Sequence, residues 1–243
     1  MDGRGQGGLP GDADDRSREW FVPRFGPKRF RLLVGLSFWP YSLMNASYVA
    51  IGSLLSNTVH FDRMLGMVTV YLLAVGVASH SLDAMRPNKP WGDFLDRSQL
   101  LALALAGLVP ALALGLFYSI TAAPLLIPLG AAELFFLLVY NLELFRGRFH
   151  TDVWFAISWG FLPVLVGYAV QSDAVNVPSL AGGLFGFATA FVEINASRPY
   201  KALKRQPVEG SAQAVARLES ILKGIVASVL ATAALMLAFA LSR

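Results

Sequence analysis

Seven stretches of this sequence are each apolar enough and long enough to cross a bilayer as a helix, which takes about 20 residues. They run over 32–56, 64–84, 99–119, 123–142, 153–171, 179–196 and 221–241. The runs are continuous rather than alternating. That selects helices over a β-barrel, because backbone polar groups in lipid must be satisfied within the segment. The 99–142 stretch divides at Ser119–Pro124, where SITAAP reads as a compact turn. Composition agrees: 55% of residues are apolar and 15% charged, against about 45–50% and about 25% in a soluble domain. Mean hydropathy is +0.54. The expected fold is all-α, a polytopic membrane helical bundle of about seven transmembrane helices over 32–243. A cytoplasmic tail is expected over 1–31. There is no Cys, so disulfides, thiolate metal sites and Cys nucleophiles are excluded.

Residues 1–18 are rich in Gly and Asp and read as disordered. No short apolar segment follows a basic start, so they do not read as a signal peptide. Trp20, Phe21, Phe25 and Phe30 then interleave with Arg24, Lys28, Arg29 and Arg31, a mixture suited to the headgroup layer. The charge pattern tests the span count. With seven spans, eighteen of the 20 Lys and Arg fall on one side, and Arg63 and Arg243 are left on the other. The basic side faces the cytoplasm. The expectation is an integral protein of a prokaryotic plasma membrane, N-terminus inside and C-terminus outside. The net charge of +4 is then topological, and no nucleic-acid partner is inferred.

Small residues mark helix contacts: Gly182 and Gly186 in a GxxxG step, Gly160 and Gly167 along one side of the fifth span. Pro40, Pro110 and Pro163 lie inside spans and read as kinks. Glu133 stands alone in the middle of the fourth span, with no evident basic partner.

Ionisable groups near hydrocarbon are costly and therefore informative. His80 and Asp83 share a helix face at i, i+3, and Arg86 follows one turn later. Tyr140, Asn141 and Glu143 sit at the exit of the fourth span, His150 and Asp152 at the entry to the fifth, Glu193 and Asn195 near the end of the sixth. The topology gathers all of these at the cytoplasmic face. A His, Asp and Glu group from several helix ends is suited to a divalent metal, which makes His80, Asp83, Glu143, His150, Asp152 and Glu193 the candidate ligands. Arg86, Lys89, Arg146 and Lys201 are placed to meet an anionic head such as a diphosphate. The plainer reading stands beside this one: helix ends are polar by default, and Arg146, Arg148 and the 198–205 run serve as topology signals.

The order of these features resembles the UbiA-type intramembrane prenyltransferases. ASHSLDAMRPNKPWG falls where that family carries its first Asp-rich motif. YNLELFRGRFHTDVWFAISWGFLPVLVGYAVQ resembles its link from helix four to a Gly-rich helix five. GLFGFATAFVEINASRPYKALKR falls where helix six leads to a second Asp-rich motif. MNASYVAIGSLLS resembles the start of its first helix. The likeness covers roughly 32–205 and is one of layout. No Asp follows Asp173, so Glu193 and Asn195 stand in for the second motif; the family commonly has nine spans. The resemblance implies a UbiA-like bundle that binds Mg²⁺ and a prenyl diphosphate. Asp83, Glu143 and Asp152 would then be catalytic, with Arg86, Lys89, Tyr140, Asn141, Arg146, Asn195 and Lys201 on the substrate.

Three functions remain open from the sequence. One is a metal-dependent transferase acting on an isoprenoid or other lipid diphosphate, with Mg²⁺ bound by oxygen ligands. Another is a transition-metal enzyme using His80 and His150 with the carboxylates on a membrane lipid. The third is a non-catalytic lipid-binding or scaffold protein.

Overall fold

The computed structural model describes residues 19–85 and 95–243. Among the described residues every regular element is helical and none is a strand. In chain order they are α1 (Lys28–Leu36), α2 (Trp39–Leu54), α3 (Phe61–Ala84), α4 (Arg97–Thr121), α5 (Leu126–Asn141), α6 (Asp152–Ser172), α7 (Val177–Arg205) and α8 (Ala212–Leu241). A 3₁₀ turn, Phe145–Gly147, lies between α5 and α6. Among the described residues five helices, α3, α4, α6, α7 and α8, are long and apolar enough to cross a membrane. The apolar α5 has 16 residues, about 24 Å of helix. The outer surface fits lipid. Leu101, Leu105, Val109, Leu112, Leu116 and Ile120 form an exposed stripe along α4, which a soluble monomer would have to cover.

The expected first span, 32–56, is not one helix. α1 ends at Leu36, α2 begins at Trp39, and Phe38 between them has left-handed backbone (φ 44°). Pro40 accounts for the break. It has no N–H for the carbonyl one turn earlier, and its ring crowds the preceding backbone. Two serines take up carbonyls near the break: Ser42 Oγ donates to Ser37 O at 2.8 Å, and Ser37 Oγ to Val34 O at 2.9 Å. Of residues 19–31, assigned from sequence to the tail, 19–23 pack onto the bundle while 24–30 are exposed. Phe21 and Val22 are buried. The Phe21 carbonyl accepts from Trp39 Nε1 at 2.7 Å. The Glu19 carboxylate accepts from the Tyr200 hydroxyl at 2.8 Å and pairs with Lys204 at 3.0 Å. Residues 1–18 of the expected tail lie outside the described residues.

Glycines set how closely the helices approach. A Cβ on Gly52 of α2 would run into the Val164 carbonyl of α6, and one on Gly167 into the Val49 carbonyl. Gly160 of α6 and Gly186 of α7 meet each other's backbone in the same way. Small residues allow such approach in membranes, where packing substitutes for hydrophobic exclusion. Gly182 faces side chains instead, those of Leu55 and Val164.

Two helices widen into π-helical turns, α3 at Leu72–Ser79 and α6 at Ile157–Phe161. In α6 the cause is visible. Pro163 withholds the N–H that the Trp159 carbonyl would accept in an α-helix. Asn45 of α2 replaces it, donating from Nδ2 to Trp159 O at 2.8 Å. Pro110, by contrast, sits within a continuous α4, where Asp96 and Gln99 form a capping box at the N-terminus. The Ser98 hydroxyl and then the Gln99 N–H hold the Asp96 carboxyl below its usual range.

Alternate loops gather at opposite ends of the bundle. At one end the Leu125 N–H donates to Asp173 Oδ1 (2.9 Å), the His60 N–H to Gln171 Oε1 (2.7 Å), and the Tyr118 hydroxyl to the Asp62 carbonyl (3.1 Å). At the other end Arg198 Nη2 donates to the His150 carbonyl (3.1 Å) and Lys204 pairs with Glu19.

The glycine contacts generate a stability prediction. Gly167→Val should destabilise by about 1–3 kcal/mol through overpacking and lower the melting temperature in detergent. Gly224→Ala, where an added Cβ meets nothing, should leave the melt unchanged or raise it, since alanine favours helix by about 1 kcal/mol.

Candidate functional site

A polar cavity of about 600 Å³ lies at the basic end of the bundle. Of the residues singled out from sequence, His80, Asp83, Tyr140, Asn141, Glu143, His150, Glu193 and Lys201 line it. They come from α3, α5, α7 and the α5–α6 loop, so the expected convergence of helix ends is present. Asp152, Arg146 and Asn195 are not in the lining. Arg86 and Lys89 lie outside the described residues.

The break at Phe38 shapes one wall. Its left-handed backbone turns the ring onto His80, with centroids 4.9 Å apart, and Lys201 Nζ lies 5.5 Å from the same ring. His80 Nε2 is 3.4 Å from Ser42 Oγ. On the facing wall His150 stacks on Tyr140 at 4.2 Å. Its Nδ1 is 3.2 Å from the Tyr140 carbonyl, which only accepts, so Nδ1 is assigned the proton. Nε2 then points to Glu143 Oε1 at 3.6 Å. Glu143 belongs to a strained loop: Glu143, Phe145 and Arg146 all have positive φ (49°, 55° and 58°). Such strain collects where a loop is held for a purpose.

α7 supplies the cations. Arg198, Lys201 and Arg205 recur at i, i+3 and i+7, on one helix face, and all three line the cavity with buried Glu193 just before them. Asp152 acts on this face from behind: its Oδ1 pairs with Arg198 Nε at 2.9 Å. Arg198 also holds the His150 carbonyl, so one guanidinium ties the α5–α6 loop to α7. Asn141 is a tie of a different kind, donating from Nδ2 to Ser79 Oγ (2.8 Å) and to Leu137 O (2.7 Å). Asn195 donates to Phe191 O at 2.8 Å and is exposed, as is Arg146.

The proposed ligand set does not assemble as a metal cage. Among the described residues no group of three or more His, Asp and Glu side chains is placed to hold one ion. Five of the six, all but Asp152, line the cavity, and His150 and Glu143 form a close pair.

A second cavity, about 260 Å³ and almost entirely apolar, lies among α3, α4, α5 and α6. Val75 and Trp159 line both cavities, so the two share a wall built from the π-helical turns. Asn45, which lines the polar cavity beside that wall, is buried; its Oδ1 has no hydrogen-bond partner among the described residues.

Sequence reading missed Phe38 and Asn45, and it took Arg198 and Arg205 as topology signals. For Arg198 and Arg205 the signal was available, as helical spacing with Lys201. For Phe38 and Asn45 it was not, because both roles follow from contacts made at a helix break or across helices. Comparison of the chain with family models, curated proteins and solved structures returns no match.

The Asn45–Trp159 bond yields a second prediction. Asn45→Leu strands the Trp159 carbonyl and should cost about 1–3 kcal/mol. The check is a lowered melting temperature together with a changed Trp159 emission, taken as the difference from a Trp159→Phe background.

Proposed function

We propose that this protein binds an isoprenoid or similar lipid diphosphate at the cytoplasmic face of a prokaryotic plasma membrane and acts on it as a UbiA-like transferase. The observation that carries the reading is the pairing of cavities. A head pocket bearing Arg198, Lys201 and Arg205 shares the Val75–Trp159 wall with an apolar chamber among the helices. An amphiphile with a charged head and a hydrocarbon chain is the ligand that uses both.

In this reading the guanidiniums and Lys201 hold the diphosphate, since arginine forks match phosphate oxygens. Asp152 fixes the Arg198 fork. The Tyr140 and Phe38 rings, with their stacked histidines, wall the reacting end and keep water from it. Mg²⁺ would come with the diphosphate and take single carboxylates such as Asp83 or Glu193, as Mg²⁺ commonly combines substrate phosphates with one or two protein acids. A second reading, a protein that holds the amphiphile without turning it over, is favoured by the lack, among the described residues, of three or more His, Asp and Glu side chains placed to hold one ion.

Binding of radiolabelled farnesyl diphosphate to protein in nanodiscs tests the head pocket. Arg198→Ala with Lys201→Ala should weaken binding at least tenfold, and Asp152→Asn by about threefold through the loosened Arg198, corresponding to about 1.4 kcal/mol or more and about 0.6 kcal/mol. Unchanged affinity in the double variant would remove the reading. Product formation with a lipid-soluble acceptor separates transferase from binding protein.

The seven-span topology is part of the same proposal, with α2 and α5 as the two short crossings. Because the chain has no Cys, Asn57→Cys and Val208→Cys each give a single label site. An impermeant maleimide should label position 57 on intact cells and position 208 after permeabilisation. The reverse pattern would invert the orientation, and labelling of both on intact cells would break the span count.

A further inference from the structure

The apolar chamber contains one carboxyl, Glu133 of α5, and the head-pocket reading does not use it. Tyr71 of α3 donates its hydroxyl to Glu133 Oε1 at 2.7 Å. Glu133 Oε2 has no hydrogen-bond partner among the described residues, and the side chain lines the chamber. Among the described residues that line it there is no Lys, Arg or His. Ser119 and Ser158 also line it, but their hydroxyls are spent on backbone carbonyls, Gly115 O at 2.8 Å and Trp154 O at 2.7 Å. An acid within hydrocarbon is costly unless something meets it, and here half of it is left unmet.

The chamber also has a way in. Gly115 of α4 and Gly130 of α5 are both in its lining, and a Cβ added to either meets nothing within 4 Å. Gly52, Gly160, Gly167 and Gly186 bring backbones together; these two leave a gap. Leu112, Leu116 and Ile127, around the gap, are exposed on the lipid-facing surface. The gap between α4 and α5 therefore lies on the apolar outer surface of the bundle.

We propose that the chamber is a binding site for a neutral, membrane-dissolved hydrocarbon bearing one hydroxyl, which enters between α4 and α5 and seats its oxygen on Glu133. The absence of any cation in the lining disfavours an anionic head. A hydroxyl suits Glu133 Oε2 whichever way the proton lies, because it both donates and accepts, whereas a carbonyl or ether oxygen accepts alone. The volume of about 260 Å³ lies just under the range of about 300–1,000 Å³ for small-molecule sites. It therefore holds the hydroxyl-bearing end of a chain or a ring, with the remainder in lipid.

Scintillation-proximity binding to the full chain in nanodiscs tests this, with tritiated farnesol, the hydrocarbon farnesene and farnesylamine as probes. Farnesol should bind at least tenfold tighter than farnesene. Glu133→Leu should abolish that preference, and Glu133→Gln, which keeps a donor and an acceptor, should stay within about threefold of the parent for farnesol, or about 0.6 kcal/mol. Gly130→Leu should block both probes by filling the gap. Arg198→Ala should leave farnesol binding unchanged, so failure of the diphosphate reading and failure of this one give different patterns. No preference for farnesol in the parent, a preference that survives Glu133→Leu, or undiminished binding in Gly130→Leu would each overturn the proposal. Tighter binding of farnesylamine than farnesol would overturn the hydroxyl assignment.

Discussion

The seam between α2 and α6 is the contact on which the rest of the architecture leans. Gly52 and Gly167 bring the two backbones together so closely that a side-chain carbon at either would overlap a carbonyl of the other. That approach lets Asn45 reach the Trp159 carbonyl. Pro163 has left that carbonyl without its helical donor, and in a bilayer no water is present to replace it. The π-helical widening of α6 is stable because a side chain on a neighbouring helix completes it. Both cavities are bounded by the result.

Polar chemistry and apolar volume are thereby separated by the thickness of a side chain. On one side of Trp159 lie the cations of α7 and the stacked pairs Phe38–His80 and Tyr140–His150. On the other lie mainly apolar residues with a single acid among the described lining. Arg198 fastens the polar side by holding Asp152 and the His150 carbonyl at once. It fixes the α5–α6 loop, and with it Glu143, against the helix that carries the charge.

Most of the helices were legible from hydropathy, because runs such as 99–119 and 221–241 are unambiguous in length and content. The turn between α4 and α5 was legible from its small residues and Pro124. The break within 32–56 was not, because Pro40 reads equally as a kink or a stop, and the choice depends on serines at 37 and 42 that serve many other purposes. The convergence of His80, Asp83, Tyr140, Glu143, His150 and Glu193 was legible through topology alone, since alternate loops must share a face. Their grouping into one ligand set was not. A shared face does not by itself bring side chains onto one ion, and among the described residues no three of these groups are so placed. Asp152 illustrates the limit: its spacing from His150 marked it as a ligand, yet its partner is an arginine 46 positions later in the chain. Arg86 and Lys89 lie outside the described residues.

Phe38 carries a conformation that an L-residue adopts at a cost of roughly 1–2 kcal/mol. Glycine would relieve that tension, yet it would also remove the aromatic plate on which His80 rests and over which Lys201 leans. The junction thus holds two demands in opposition, backbone comfort and a furnished pocket, and the residue present satisfies the second. A helix that ran straight through this point would be the more relaxed object and would have no ring to offer; the discontinuity is what converts the start of α2 from a strut into part of a receptacle.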